Sequence, residues 1–184
     1  MKMMVFKGTT VVLAVITGAA LTVFGMSEGW AQEKHKISYK LSADISKYTQ
    51  QHVIDVGDVP GHQVRINEIH RTYPKDLVTF QGVRAVEEWD RGYSDYTDTN
   101  GRAWGYGIYF LENGDKIFTR LDGTSQTLVN PDGSKKSTYT GVWTLTGGTG
   151  KFRGIRGMLR VTIIFDTKAG LNEGQVEGEY WMED

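Results

Sequence analysis

The sequence predicts an all-β protein, a closed antiparallel barrel of roughly eight strands. Three observations carry this. Apolar and polar residues alternate at period two through one segment after another. Gly, Pro, Asn and Asp mark turns at short, regular spacing. No stretch beyond the N-terminal segment carries the 3.6-residue period of a long amphipathic helix.

Residues 1–31 read as an export signal. Lys2 and Lys7 make a basic start, Val11 to Met26 is a mostly apolar run, and Gly29-Trp30-Ala31 supplies small residues at the cleavage position. The run is short for a spanning helix, which needs about 20 residues; an uncleaved anchor is the alternative. The reading predicts a periplasmic or secreted chain, free of the membrane once cleaved, with residues 32–184 as one barrel domain. Those 153 residues suffice for a single core. They hold 19 basic and 21 acidic side chains and no basic cluster, which argues against nucleic acid as a partner. The chain has no cysteine. That removes thiol catalysis and disulfides, so burial alone must hold an exported fold together.

Taken in order, Ile37–Leu41 is a short strand. Residues 43–52 are polar and weakly patterned, a loop or a single helical turn, and Asp55–His62 is a turn by its Gly and Pro content. Strands follow at 63–73, 83–91, 103–112, 116–129, 138–146, 157–165 and 174–182, with 93–104 a rim loop or lid. Asn113-Gly114 is a strong two-residue hairpin signal. In 138–146, Thr138, Thr140, Val142 and Thr144 share one face and Tyr139, Trp143 and Leu145 the other. Five glycines then fall between 147 and 157 in a corner that Phe152 and Ile155 plug from below.

The corner is not a phosphate loop. Leu145 and Phe152 stand where a Walker loop needs Gly and Ser or Thr, and Arg153 breaks the dinucleotide pattern. Against an outer-membrane barrel stand Arg65, Arg71, Arg84, Glu88, Arg120, Arg160, Glu177 and Glu179, which interrupt one strand after another, so a soluble barrel is the better reading. Glu68 and His70 at i, i+2 would make an acid/base pair or half a metal site. The other three histidines lack ligand spacing, so a solvated or salt-bridged pair on an outer face is the favoured reading, with no metal and no cofactor.

Thr146-Gly-Gly-Thr-Gly-Lys-Phe-Arg-Gly-Ile-Arg-Gly157 resembles the Thr-Gly-Gly-x-Gly-x-Phe-x-Gly-x-x-Gly corner of allene oxide cyclases and dirigent-like proteins, small eight-stranded calycin-like barrels. Arg65-Ile-Asn-Glu-Ile-His-Arg-Thr-Tyr-Pro74 is similar to the Glu-Ile-Asn-Glu-x-x-Arg-x-x-Pro segment of the cyclases, and Tyr106–Ile117 resembles their following hairpin. The resemblance implies that Arg65, Asn67 and Ile69 face the lumen and that Pro74 shapes its mouth. Alternation alone would bury Val64 and Ile66 instead; the family register leaves them outside, for a subunit contact or a packed segment. The family's first carboxylate, assigned to opening or steering an epoxide, is replaced by Arg65.

Three functions follow from these readings. The leading one is a barrel that binds a small apolar or anionic amphiphilic molecule, such as a fatty acid, held head-first by Arg65 with Asn67 as second donor. Its ligand-binding set is Arg65, Asn67, Pro74, Glu87 and Trp89, with Glu87 the first choice of carboxylate partner for Arg65; Glu87 shares a face with Trp89 and Arg120 one with Phe118, and exposed placement is the default for each taken alone. The second is an isomerase or cyclase whose lumen templates ring closure. The third is an interaction module with a filled barrel. A void of about 300 Å3 or more is needed for the first two. A homo-oligomer stays open.

Overall fold

The computed structural model describes residues 32–166 and 171–183, apart from the side chains of 166, 171 and 172; the export-signal reading falls on residues outside these. Ten strands form: β1 (His35–Leu41), β2 (Ser46–Asp55), β3 (His62–Thr72), β4 (Thr79–Phe80), β5 (Val83–Thr97), β6 (Asn100–Leu111), β7 (Lys116–Val129), β8 (Lys135–Gly148), β9 (Ile155–Asp166) and β10 (Leu171–Met182). Two 3₁₀ turns, Ala43–Ile45 and Gly150–Phe152, interrupt them. Among the described residues no helix is long and apolar enough to cross a membrane.

All pairings are antiparallel, in the order β1-β10-β9-β8-β7-β6-β5-β3-β2, with β4 appended to β5. The all-β expectation holds, but the hydrogen-bonded path is an open sheet of ten strands: β1 pairs β10, β2 pairs β3, and the two end strands do not pair with each other. The polar stretch 43–52, expected to be a loop or helical turn, is a 3₁₀ turn followed by most of β2. Its alternation is faint because nearly every residue of β2 is exposed, so nothing selects an apolar face. Residues 93–104 are likewise not a loop. β5 and β6 run on to a tight hairpin whose central pair, Asp98 and Thr99, both take positive φ (50° and 65°).

The sheet coils around one core, and its inner face can be read strand by strand. Odd-numbered residues point inward on β3, β6, β7, β8 and β9, and even-numbered ones on β10. Strands remote in the sheet order therefore meet: Tyr39 on β1 lies 2.7 Å, hydroxyl to hydroxyl, from Tyr109 on β6. On β5 the inward set changes at a bulge between Ala85 and Glu87, so that Ala85 is inside but so are Glu88, Asp90 and Ser94. The end carrying the glycine corner is closed. Phe152, Ile155, Val78 and Phe80 are fully buried there, and the backbone N–H of Gln81 donates to the Tyr180 hydroxyl at 2.7 Å. Phe152 and Ile155 thus plug the corner as their isolation in the sequence suggested.

Candidate functional site

β3 supplies the axis of the site. Its alternation directs Arg65, Asn67, Ile69 and Arg71 to the inner face, where they line two adjoining cavities. The cavities share Tyr48, Asn67, Tyr96 and Phe165 and lie toward the end away from the plug.

The outer cavity has a volume of about 370 Å3. Besides the shared residues it is lined by Gln51, Arg65, Ser94, Thr99, Ser125 and Ser137, and no carboxylate is among them. Ser94 is opposite Arg65 in the β3–β5 register, is almost wholly buried, and its hydroxyl has no hydrogen-bond partner. Ser137 and Thr127 share a hydrogen bond at 2.7 Å, and Thr99 approaches Ser137 at 3.1 Å. Arg65 donates to the Gln63 amide oxygen at 2.6 Å, and among the described residues it forms no ion pair. Its guanidinium is therefore a cation met only by a neutral partner. Asn67 lies over Gly92, where a Cβ would stand 3.0 Å from the Asn67 side-chain oxygen. Burial first of all pushes the Tyr96 phenol up to about 12, so it stays a neutral hydroxyl.

The inner cavity is smaller, about 90 Å3, and its own lining is mostly apolar: Ile69, Leu121, Ile163, Tyr139 and Trp143, with Arg71 and Asp90 as its charged part. Tyr139 lies against the bare backbone of β7 and β8. A Cβ at Gly123 would be 2.5 Å from its Cζ, and one at Gly141 would be 2.6 Å from the same atom.

Behind this cavity sits a buried ionic cluster. Arg71 pairs with Asp90 and, at 3.3 Å, with Glu88, and its guanidinium is 5.5 Å from the centre of the Trp143 ring. Tyr73 donates its hydroxyl to Glu88. Burial opposes the charge on Arg71, but Asp90 and then Glu88 outweigh it and keep the guanidinium charged. One cation cannot balance two carboxylates in a dry interior. Burial, and next the neighbouring Asp90 charge, push the Glu88 carboxyl from 4.5 up to about 8, so at neutral pH it holds its proton. The phenols of Tyr39, Tyr73 and Tyr109 are pushed upward by burial and then by the Glu88 charge. Glu88, Asp90 and Thr119 each keep one buried oxygen without a hydrogen-bond partner, and the oxygens of Asp90 and Thr119 crowd the point where Gly107 would carry a Cβ.

The five residues predicted from sequence are dispersed. Arg65 and Asn67 line the cavity, Asn67 in both compartments. Glu87 and Trp89 lie on the outer face of β5: Glu87 is 2.7 Å from His70, and the His70 ring stacks on Trp89 at 4.1 Å. Pro74 is exposed beyond the end of β3, at the plugged end, and lines neither cavity. The expected Arg65–Glu87 pair is not formed, because the β5 bulge turns Glu87 outward and puts Glu88 and Asp90 inside, beside Arg71 instead of Arg65. Glu68 joins Arg91 at 2.9 Å, so it and His70 belong to the salt-bridged outer face. Among the described residues no group of three or more His, Asp or Glu could hold a metal ion. No protein-family model matches the chain, and no curated protein matches it.

Proposed function

We propose that this protein binds a small amphiphilic molecule inside its sheet, with an anionic end at Arg65 and an apolar end in the inner cavity. The observation that carries the reading is a cation with no acid beside it, lining a space of about 370 Å3 that continues inward onto apolar side chains. That volume falls in the ordinary range for small-molecule sites, about 300–1,000 Å3. A filled interior would offer no such space. The barrel itself is part of the proposal. β1 and β2 run in the same direction and follow one another through the Ala43–Ile45 turn, so together they act as one bent strand that bridges β10 to β3. This bent strand completes an eight-walled barrel of the kind that allene oxide cyclase-like proteins have. Export to the periplasm or beyond belongs to the same proposal and rests on residues 1–31.

Calorimetric titration of the mature chain with small organic anions tests this. Binding that disappears in Arg65→Ala, with unchanged melting of the free protein, supports the reading. Equal binding by both proteins, or none by either, removes it.

A further inference from the structure

Resting on that reading, we infer that the ligand is a compact, hydroxylated carboxylic acid and not a long-chain amphiphile. Two quantities set the size of the apolar part. The inner cavity has about 90 Å3. Taking about 30 Å3 for each water- or methylene-sized group, this holds roughly three such groups, whereas an acyl chain of about sixteen carbons needs on the order of 450 Å3. The chain cannot overflow outward at no cost, because the outer compartment sets polar groups among the rings of Tyr48, Tyr96 and Phe165. Its walls carry the hydroxyls of Ser94, Thr99, Ser125 and Ser137 and the amides of Gln51 and Asn67. An alkyl chain laid on these would strip them of water and return no hydrogen bond. Ser94 already lacks a partner while more than nine-tenths buried. Such walls suit a ligand that brings several oxygens of its own.

The charge of that ligand follows from the count of cations. The outer compartment has one guanidinium and no acid, so it complements a single negative charge. A planar carboxylate matches the fork of an arginine, whereas a dianion such as phosphate asks for more than one cation. The inner end adds no second cation, since Arg71 is occupied by Asp90 and Glu88. A monocarboxylate with hydroxyl groups and a short apolar edge satisfies all of these at once. Tyr48, Tyr96 and Phe165, shared between the compartments, offer ring faces and edges to such a molecule at the middle of the site.

The test is calorimetric titration of the mature chain with five probes: glucuronate, glucose, hexanoate, palmitate and inorganic phosphate. Glucuronate is expected to bind at least about tenfold more tightly than glucose, which lacks the charge, and than hexanoate, which lacks the hydroxyls. Arg65→Ala should weaken glucuronate about tenfold or more, and Ser94→Ala by a smaller factor, with the free proteins melting as the wild type does. Palmitate or hexanoate binding more tightly than glucuronate overturns this inference while leaving interior binding intact. Phosphate matching glucuronate overturns the assignment to a carboxylic acid. Silence from all five probes removes the interior-binding reading itself.

Discussion

Replacing Glu88 by Gln should make the protein more stable in alkali and leave it unchanged in acid. Gln has the shape of the protonated acid but no proton to lose, so it fixes the cluster in the form in which Arg71 and Asp90 balance each other. In the wild type the Glu88 carboxyl moves from 4.5 in the unfolded chain to about 8 in the folded one. Between those values the unfolded chain has released its proton and the folded chain still holds it, so raising the pH favours unfolding. Below about 4.5 both hold the proton; above about 8 both have lost it. At about 1.4 kcal/mol for each pH unit, the wild type should lose on the order of 4–5 kcal/mol relative to Glu88→Gln across this window. That is a large share of an ordinary domain's stability, about 5–15 kcal/mol. Urea unfolding of both proteins between pH 4 and pH 9 measures the difference directly, and taking the difference cancels the titrating groups that do not interact with Glu88. A gap between the two stabilities that stays constant with pH would refute the cluster's charge balance as argued here.

Other outcomes follow from the same packing. Arg71→Ala leaves the Asp90 carboxylate buried without its cation, beside a protonated Glu88, and should cost about 3–5 kcal/mol in urea unfolding at neutral pH. Gly141→Ala places a Cβ against the Tyr139 ring, and 2.7 Å from the Asp122 carbonyl oxygen, and should cost about 1–3 kcal/mol by the same assay. Phe152→Ala empties the plug under the glycine corner, with an expected loss of about 3–5 kcal/mol. His62 lies between Asp95 at 2.8 Å and Asp58 at 2.6 Å; Asp95, then Asp58, raise its pKa, so amide protection in residues 56–61, measured against the intrinsic exchange rate at each pH, should fall as His62 loses its proton. Asp95→Asn should lower the His62 pKa read by NMR.

Most strands and the plug were legible because each rests on a local signal. Trp143 and Leu145 alternate with threonines, and Phe152 and Ile155 are the only large apolar groups among the corner glycines. β2 was not legible, since a strand exposed along nearly its whole length has no alternation to display. Half of the site was visible through β3, where the register puts Arg65 and Asn67 inside. The other half hinged on one extra residue. The bulge in β5 reverses which side chains face inward, and a one-residue slip exchanges the two faces completely. Nothing in the local pattern tells which face of β5 carries Glu87 and Trp89, and Trp89 covers His70 on the outside. The trace available beforehand was Arg71 itself: an arginine on the inward face of β3 requires an acid across from it, and Glu88 and Asp90 are the two acids that share a face on the neighbouring strand.

The seat of Tyr139 on Gly123 and Gly141 bears on how quickly anything could enter and leave. A wall of the inner cavity is a ring whose outer end packs against main chain at Gly123 and Gly141, where any side chain would collide with it. A guest that fits such a wall finds it already in place, and little ordering of side chains is charged against its affinity. A guest that does not fit cannot make room by pushing Tyr139 back, because main chain stands behind it. The cavity should therefore act as a rigid gauge, sorting candidates by shape more sharply than its few polar contacts would suggest.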